Sequence, residues 1–218
     1  MFTPDPAREP RDGAIRLTNR ARILEAAENE FARHGFKGTT VQQVADAAGL
    51  PKTNVLYYFG NKEGLYRAVL GQILSLWNSS FDQARAEDDP AQVLARYIHD
   101  KMEMSRTKPA ASRIFALEVI HGAPNLGKVF ADELVEWTSG RVRLIQHWID
   151  SGRMLPVEPY FLLFHIWATC QHYADFAAQI SALRQAPMTA QDFRRATADV
   201  IRLILTGCGL TVPAHYRL

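Results

Sequence analysis

Lys52, Thr53 and Asn54, followed by Tyr57 and Tyr58, crowd donors and acceptors into two helical turns. No acid–base pair or nucleophile stands among them. Their chemistry is recognition of a polar surface. A lysine bonds guanine, an asparagine pairs with adenine, and a threonine offers a hydroxyl and a methyl group to the edges in a DNA groove. Upstream stands Thr40, downstream Lys62. A cation in the first turn of a helix opposes the macrodipole, normally at a cost of ~0.3–1 kcal/mol. A docked phosphate reverses that sign. Lys52, Thr53 and Asn54, with Tyr57 and Tyr58, are expected to face a DNA groove, and Lys62, beside Thr40, offers a phosphate contact. A solvated surface lysine is the competing reading of Lys62.

The residues around these side chains supply elements to hold them. Thr40 with Gln43 three residues on is a capping box. Val41, Val44, Ala45 and Ala48 then share one helical face. Gly49 ends that helix in the left-handed conformation. Pro51 opens the next, from which Val55, Leu56 and Phe59 are expected to face inward. Before them, a helix is expected over roughly Asn19–His34, stopped by Gly35. After them, Asn61 caps a helix reaching about Arg85. Two short helices joined by a tight turn, the second bearing groove-reading residues, make a helix-turn-helix.

This stretch resembles the TetR family of transcriptional regulators. The matching residues are Ile23, Leu24, Ala26, Ala27 and Phe31, then Tyr57-Tyr58-Phe59 and Lys62-Glu63. The match spans about residues 16–76, and together with the charge it implies a phosphate contact at Lys62, next to Thr40, Tyr57 and Tyr58. Pro51, Thr53 and Leu56 depart from the usual pattern, which bears on the operator sequence rather than on DNA binding.

Bulk properties set outer bounds. The 218 residues allow one domain or two with a sizeable core. Net charge is +2, and all of that excess lies within the segment ending at Lys62. So small an excess disfavours a sequence-neutral nucleoid protein and suits a dimer presenting two heads. Cys170 and Cys208 make no disulfide framework. With no leader peptide or long apolar run, a soluble cytoplasmic chain is expected, with no membrane partner.

Residues 1–14, with three prolines and mixed charge, read as a disordered arm, or alternatively as one whose Arg8 and Arg11, with Arg16 just beyond, reach phosphates. The DNA-binding domain is placed at 15–77. An effector-binding and dimerisation domain follows over 78–212. Helix starts stand at Asp89-Pro90, Pro109, Leu126, Glu158-Pro159 and Thr189, and nothing reads as a strand. The fold class is therefore all-α: a three-helix head and a C-terminal helical bundle. The Glu158–Leu183 stretch reads as one unbroken helix, apolar nearly all round. With the last helix it suits a dimer interface, and pairing of the last two helices is what the family resemblance implies. Two heads about 34–36 Å apart would meet successive major grooves.

That penultimate helix also holds Trp167, Thr169, Gln171, His172, Tyr173 and Asp175. Buried polar groups need partners, so these bond either other protein groups or a ligand. Trp77, Trp167 and Tyr173 could stack a flat ring, with Gln171 supplying a donor and an acceptor. The segment from Ile166 to Ala177, with Ser112-Arg113 and Gly122-Ala123-Pro124, resembles the pyrimidine-utilisation branch of the family. That resemblance implies uracil or thymine as effector. An unrelated hydrophobic effector is the alternative.

Other chemistries find little support. Glu118-x-x-His121 is a lone di-iron-type motif, and His165, Cys170 and His172 lack the further ligands of a zinc site. No metal and no cofactor is expected. No phosphate loop or nucleophile elbow appears, so an all-α enzyme is the remote rival to a DNA-binding regulator.

Overall fold

The computed structural model describes residues 8–217, apart from the side chains of 8–14 and 128–130. Ten α-helices occur among them, with no strand. They fall into two compact units that divide after Gln72.

The first unit contains α1 (Arg8–Gly38), α2 (Val41–Ala48), α3 (Lys52–Phe59) and the start of α4 (Lys62–Asp82). α1 begins earlier than expected. The arm of 1–14 lies outside the described residues up to position 7, but the backbone is helical from Arg8. Pro10 sits in the first turn, where its missing N–H costs nothing. Gly35 interrupts the helix with φ 67° and ψ 175°. The chain then turns to Thr39, whose buried hydroxyl donates to the Glu30 and Gly35 carbonyls.

α2 is held at both ends. Gln43 N–H donates to Thr40 Oγ1, and Thr40 N–H donates to Gln43 Oε1. At the far end Gly49 has φ 61° and donates to Ala45 and Asp46 carbonyls. Arg22 Nη2 donates to Ala48 O at 2.7 Å, and a Cβ on Gly49 would stand 3.2 Å from that nitrogen. Glycine thus serves both the backbone conformation and the approach of the arginine. Ile23, Ala27, Phe31, Val44, Ala45, Val55, Leu65 and Val69 form the core. Leu56, expected inside, is 38% exposed. It follows Val55 by about 100° of helical rotation, and an eight-residue helix buries only a narrow stripe.

The second unit holds the rest of α4 with α5 (Pro90–Thr107), α6 (Pro109–Ile120), α7 (Gly127–Asp150), α8 (Pro159–Asp175), α9 (Ala177–Arg184), α10 (Ala190–Gly207) and a short 3-10 turn, Ala214–Tyr216. α5 is the central helix, packed on α8 and α10. Leu94, Tyr97, Ile98 and Met102 meet Phe81, Ile145, Trp148, Leu163, Ile166, Ile201 and Leu205 in one core. Caps place the helices: Asp89 accepts from Ala91 N–H, Glu158 from Phe161 N–H, and Thr189 forms a capping box with Asp192.

The long helix expected over Glu158–Leu183 is two helices. Phe176 leaves the helical region, at φ −109° and ψ 24°. The Asp175 carboxylate accepts from Ser112 Oγ on α6 at 2.6 Å, and the Phe176 ring stacks on His172, 4.9 Å away. These ties to α6 and to the preceding turn coincide with the break. Apolar periodicity continues across it and does not reveal it.

Candidate functional site

The head presents α3 outward. Lys52 and Thr53 are exposed, Asn54 is half-buried, and Tyr57 is 69% exposed. Tyr58, expected outside, is half-buried, edge-on to Tyr57 and tilted against Phe59. α1 joins this face: the Arg16 guanidinium lies over the Tyr57 ring and Arg20 over Phe59, at 5.8 and 5.5 Å. Sequence reasoning left Arg20 out of the site because helical spacing alone does not say which side of α1 neighbours α3.

Two residues of the expected DNA-binding set are already engaged. The Thr40 hydroxyl and N–H both turn to Gln43. The half-buried Lys62 ammonium donates to Phe36 O at 2.9 Å and Thr39 O at 3.1 Å, and lies 4.5 Å from the centre of the Phe36 ring. It ties the start of α4 to the α1–α2 turn. One of its three N–H groups is left for any other partner. The carbonyls that offset its unfavourable place in the α4 dipole belong to the protein.

In the second unit, α4, α5 and α8 bring an aromatic chain together. Trp77 is buried, edge-on to Phe115 of α6. Lys101 Nζ lies over Trp77 at 4.8 Å and over Tyr97 at 5.3 Å. Tyr97 OH accepts from Trp167 Nε1 at 2.8 Å. Trp77 and Trp167 are thus linked through two α5 residues, Tyr97 and Lys101, one helical turn apart. Tyr173 is not in this chain: it faces Phe193 of α10, ring centres 6.1 Å apart. Gln171 is half-buried beside the buried Cys170.

Burial raises Tyr97 and pushes the Cys170 thiol up to about 12, so both are neutral at physiological pH. Burial pushes Lys101 down to about 8. Neither Tyr97 nor Lys101 was singled out from the sequence. The available signal was a lysine on the stripe that carries Leu94 and Ile98, a position that a helix normally gives to an apolar residue.

A cavity of about 790 Å³ opens elsewhere, between α5, α10 and the C-terminal segment, with Arg106, Phe193, Arg194 and Tyr216 on its walls. The Glu118 carboxylate accepts from Asn125 N–H and Nδ2, and His121 Nδ1 pairs with the Leu117 carbonyl, so this motif is occupied internally. Among the described residues no three His, Cys, Asp or Glu gather as metal ligands, and no helix is long and apolar enough to cross a membrane.

A helix-turn-helix head joined to a helical bundle defines a DNA-binding transcriptional regulator, and the chain belongs to the TetR family. Residues 23–69 match the family of bacterial regulatory proteins, tetR family, and residues 70–211 match the YcdC-like protein, C-terminal region. The chain is similar to the HTH-type transcriptional regulator RutR of Escherichia coli strain K12, with 42% identity over 186 residues, covering 85% of this chain and 88% of the relative. Its fold is similar to that of SCO4942 from Streptomyces coelicolor, a putative transcriptional regulator, at TM-score 0.65 and 23% identity over 85% of this chain and 97% of that one. AibR, solved with isovaleryl coenzyme A and operator DNA, has TM-score 0.62 and 15% identity over 89% of this chain and 99% of its own.

Proposed function

We propose that the protein is a homodimeric repressor that holds an operator through α3 and releases it when a planar pyrimidine, uracil or thymine, enters the second unit. Lys52, Thr53 and Asn54 read base edges, with Tyr57, Tyr58, Thr40 and the third Lys62 N–H against the backbone. Trp77, Trp167 and Gln171 receive the effector. Tyr173, turned toward α10, acts at one remove.

The observation that carries this reading is the chain from Trp77 through Lys101 and Tyr97 to Trp167. It puts flat rings and polar hydrogens in one place, on helices that include α4. α4 alone has residues in both units, and Trp77 lies five positions beyond their division. An effector that moves Trp77 therefore acts on the helix that begins in the head. The resemblance to the pyrimidine branch, together with 42% identity to RutR, supports the choice of ring.

Dimerisation is assigned to α8, α9 and α10. Phe161, Phe164 and Phe176 are 48–59% exposed, and Leu183 and Leu203 are 79% and 62% exposed. A concentration of large apolar side chains of this kind marks a protein interface.

Selection of the preferred DNA from random sequences, followed by titration with uracil and thymine, tests the reading. Salt-dependent retention of one sequence, lost on adding either base, is the expected result. Retention unchanged at millimolar uracil and thymine rules out the pyrimidine.

A further inference from the structure

On α5, Leu94 and Ile98 are fully buried, and Lys101 and Ser105 continue their stripe at 5% and 6% exposure. The serine is satisfied, donating to Cys170 O at 2.8 Å. The lysine is not. Among the described residues it makes no hydrogen bond and no ion pair, and its ammonium meets the faces of Trp77 and Tyr97. The sealed side-chain polar atom lacking a partner among those residues is Arg141 Nε. The Lys101 ammonium is likewise without a hydrogen-bond partner among them.

Burying an unpaired charge is among the costliest arrangements in a core, and ring faces offset only part of it. The amine's hydrogen-bonding capacity is unused among the described residues.

We propose that Lys101 reads the effector, donating to a carbonyl or carboxylate oxygen of a planar ring held among Trp77, Tyr97 and Trp167. This deepens the effector reading above and rests on it. The class of ligand is narrowed to planar rings bearing an electron-rich oxygen. Plain hydrocarbons and cations are excluded.

The site is also proton-linked. An acceptor beside the amine favours its charged form and raises its pKa above the free value of about 8. Binding then takes up a proton near pH 8, and affinity falls as pH rises through that value. The ionisable groups facing the lysine are Tyr97 on its own helix and Cys170 on α8. Burial raises both, so they stay neutral in this range. No ionisable group of α4, α6 or α10 acts on it among the described residues. Asp82 of α4 bears on Tyr97 instead and accepts from Trp137 Nε1.

Calorimetry on the full chain tests the proposal, with uracil and, separately, benzoate as probes, in two buffers of different ionisation heat from about pH 6.5 to about pH 9. The wild type is expected to bind uracil with proton uptake near pH 8. Lys101→Met is expected to bind at least about tenfold more weakly at neutral pH, with no uptake and an unchanged or raised melting temperature. Lys101→Arg keeps the charge and is expected to flatten the pH profile, because guanidinium does not titrate there. Uracil binding that Lys101→Met retains with the wild-type affinity and pH profile overturns the lysine's role and leaves the pyrimidine reading standing. Benzoate binding lost in Lys101→Met, with no uracil binding, removes the pyrimidine and keeps the lysine's role. Binding of neither probe to the wild type overturns the proposal.

Discussion

Replacing Lys62 with methionine separates two accounts of the head. In the structure the ammonium donates to the Phe36 and Thr39 carbonyls and lies over the Phe36 ring. Methionine keeps most of the stem and removes only the charge and its donors. A hydrogen bond from a charged donor contributes roughly 1.5–3 kcal/mol when well buried. The side chain is half-buried, which discounts that range, so the two bonds and the ring contact together are worth about 2 kcal/mol. A loss of that size multiplies the opening equilibrium of the first unit by about 30. All four tryptophans, Trp77, Trp137, Trp148 and Trp167, lie in the second unit, so fluorescence does not report on the head. Amide hydrogen exchange at Val44, Ala45, Ala48 and Leu65, all in its core, does. Exchange there is expected to accelerate about 30-fold, with little change elsewhere. A lysine whose main partner is a phosphate behaves differently: exchange stays within about twofold of wild type, and the salt slope of operator binding drops by about 0.9 per lysine. That second pattern would refute the internal tie.

Other substitutions probe the remaining parts. Asn54→Ala is expected to cost about 1–3 kcal/mol on the selected operator and to relax preference at one base pair, measured by competition among single-base variants. Glu118→Ala removes a buried carboxylate that supplies two acceptors to half-buried Asn125 and is expected to destabilise the second unit by about 1–3 kcal/mol, visible as an earlier tryptophan-detected unfolding midpoint in urea. Thr189 N–H and hydroxyl, with Arg184, hold the Asp192 carboxyl down to about 2. Its stabilising contribution is present above the ordinary value of 3.8 and disappears as pH falls through about 2, so its carboxyl carbon is expected to titrate below about pH 3 by NMR. Paired substitutions Phe161→Glu and Leu203→Glu put charges on the exposed apolar faces of α8 and α10. Sedimentation is expected to show a monomer with weakened operator binding; an intact dimer would place the interface elsewhere.

What the chain alone determined was local. Thr40 and Gln43, Gly49, Asp89-Pro90 and Thr189 act on backbone groups a few positions away, so the capping boxes, the left-handed turn and most helix ends were legible from order and spacing. The clustering of polar side chains on α3 was legible for the same reason, because Lys52, Thr53, Asn54 and Tyr57 share one short helix. What required the tertiary structure was every partner distant in sequence. Lys62 looks like a free cation until the α1–α2 turn delivers two carbonyls to it. The α8–α9 break coincides with the Asp175 tie to Ser112, 63 positions away, and no periodicity within the helix encodes that tie. Trp77 and Trp167 are linked only because α5 places Tyr97 and Lys101 between them. A lysine on an apolar stripe is a visible oddity in the sequence, but whether it is paired depends on what the neighbouring helices bring to it, and here they bring aromatic rings and no acceptor.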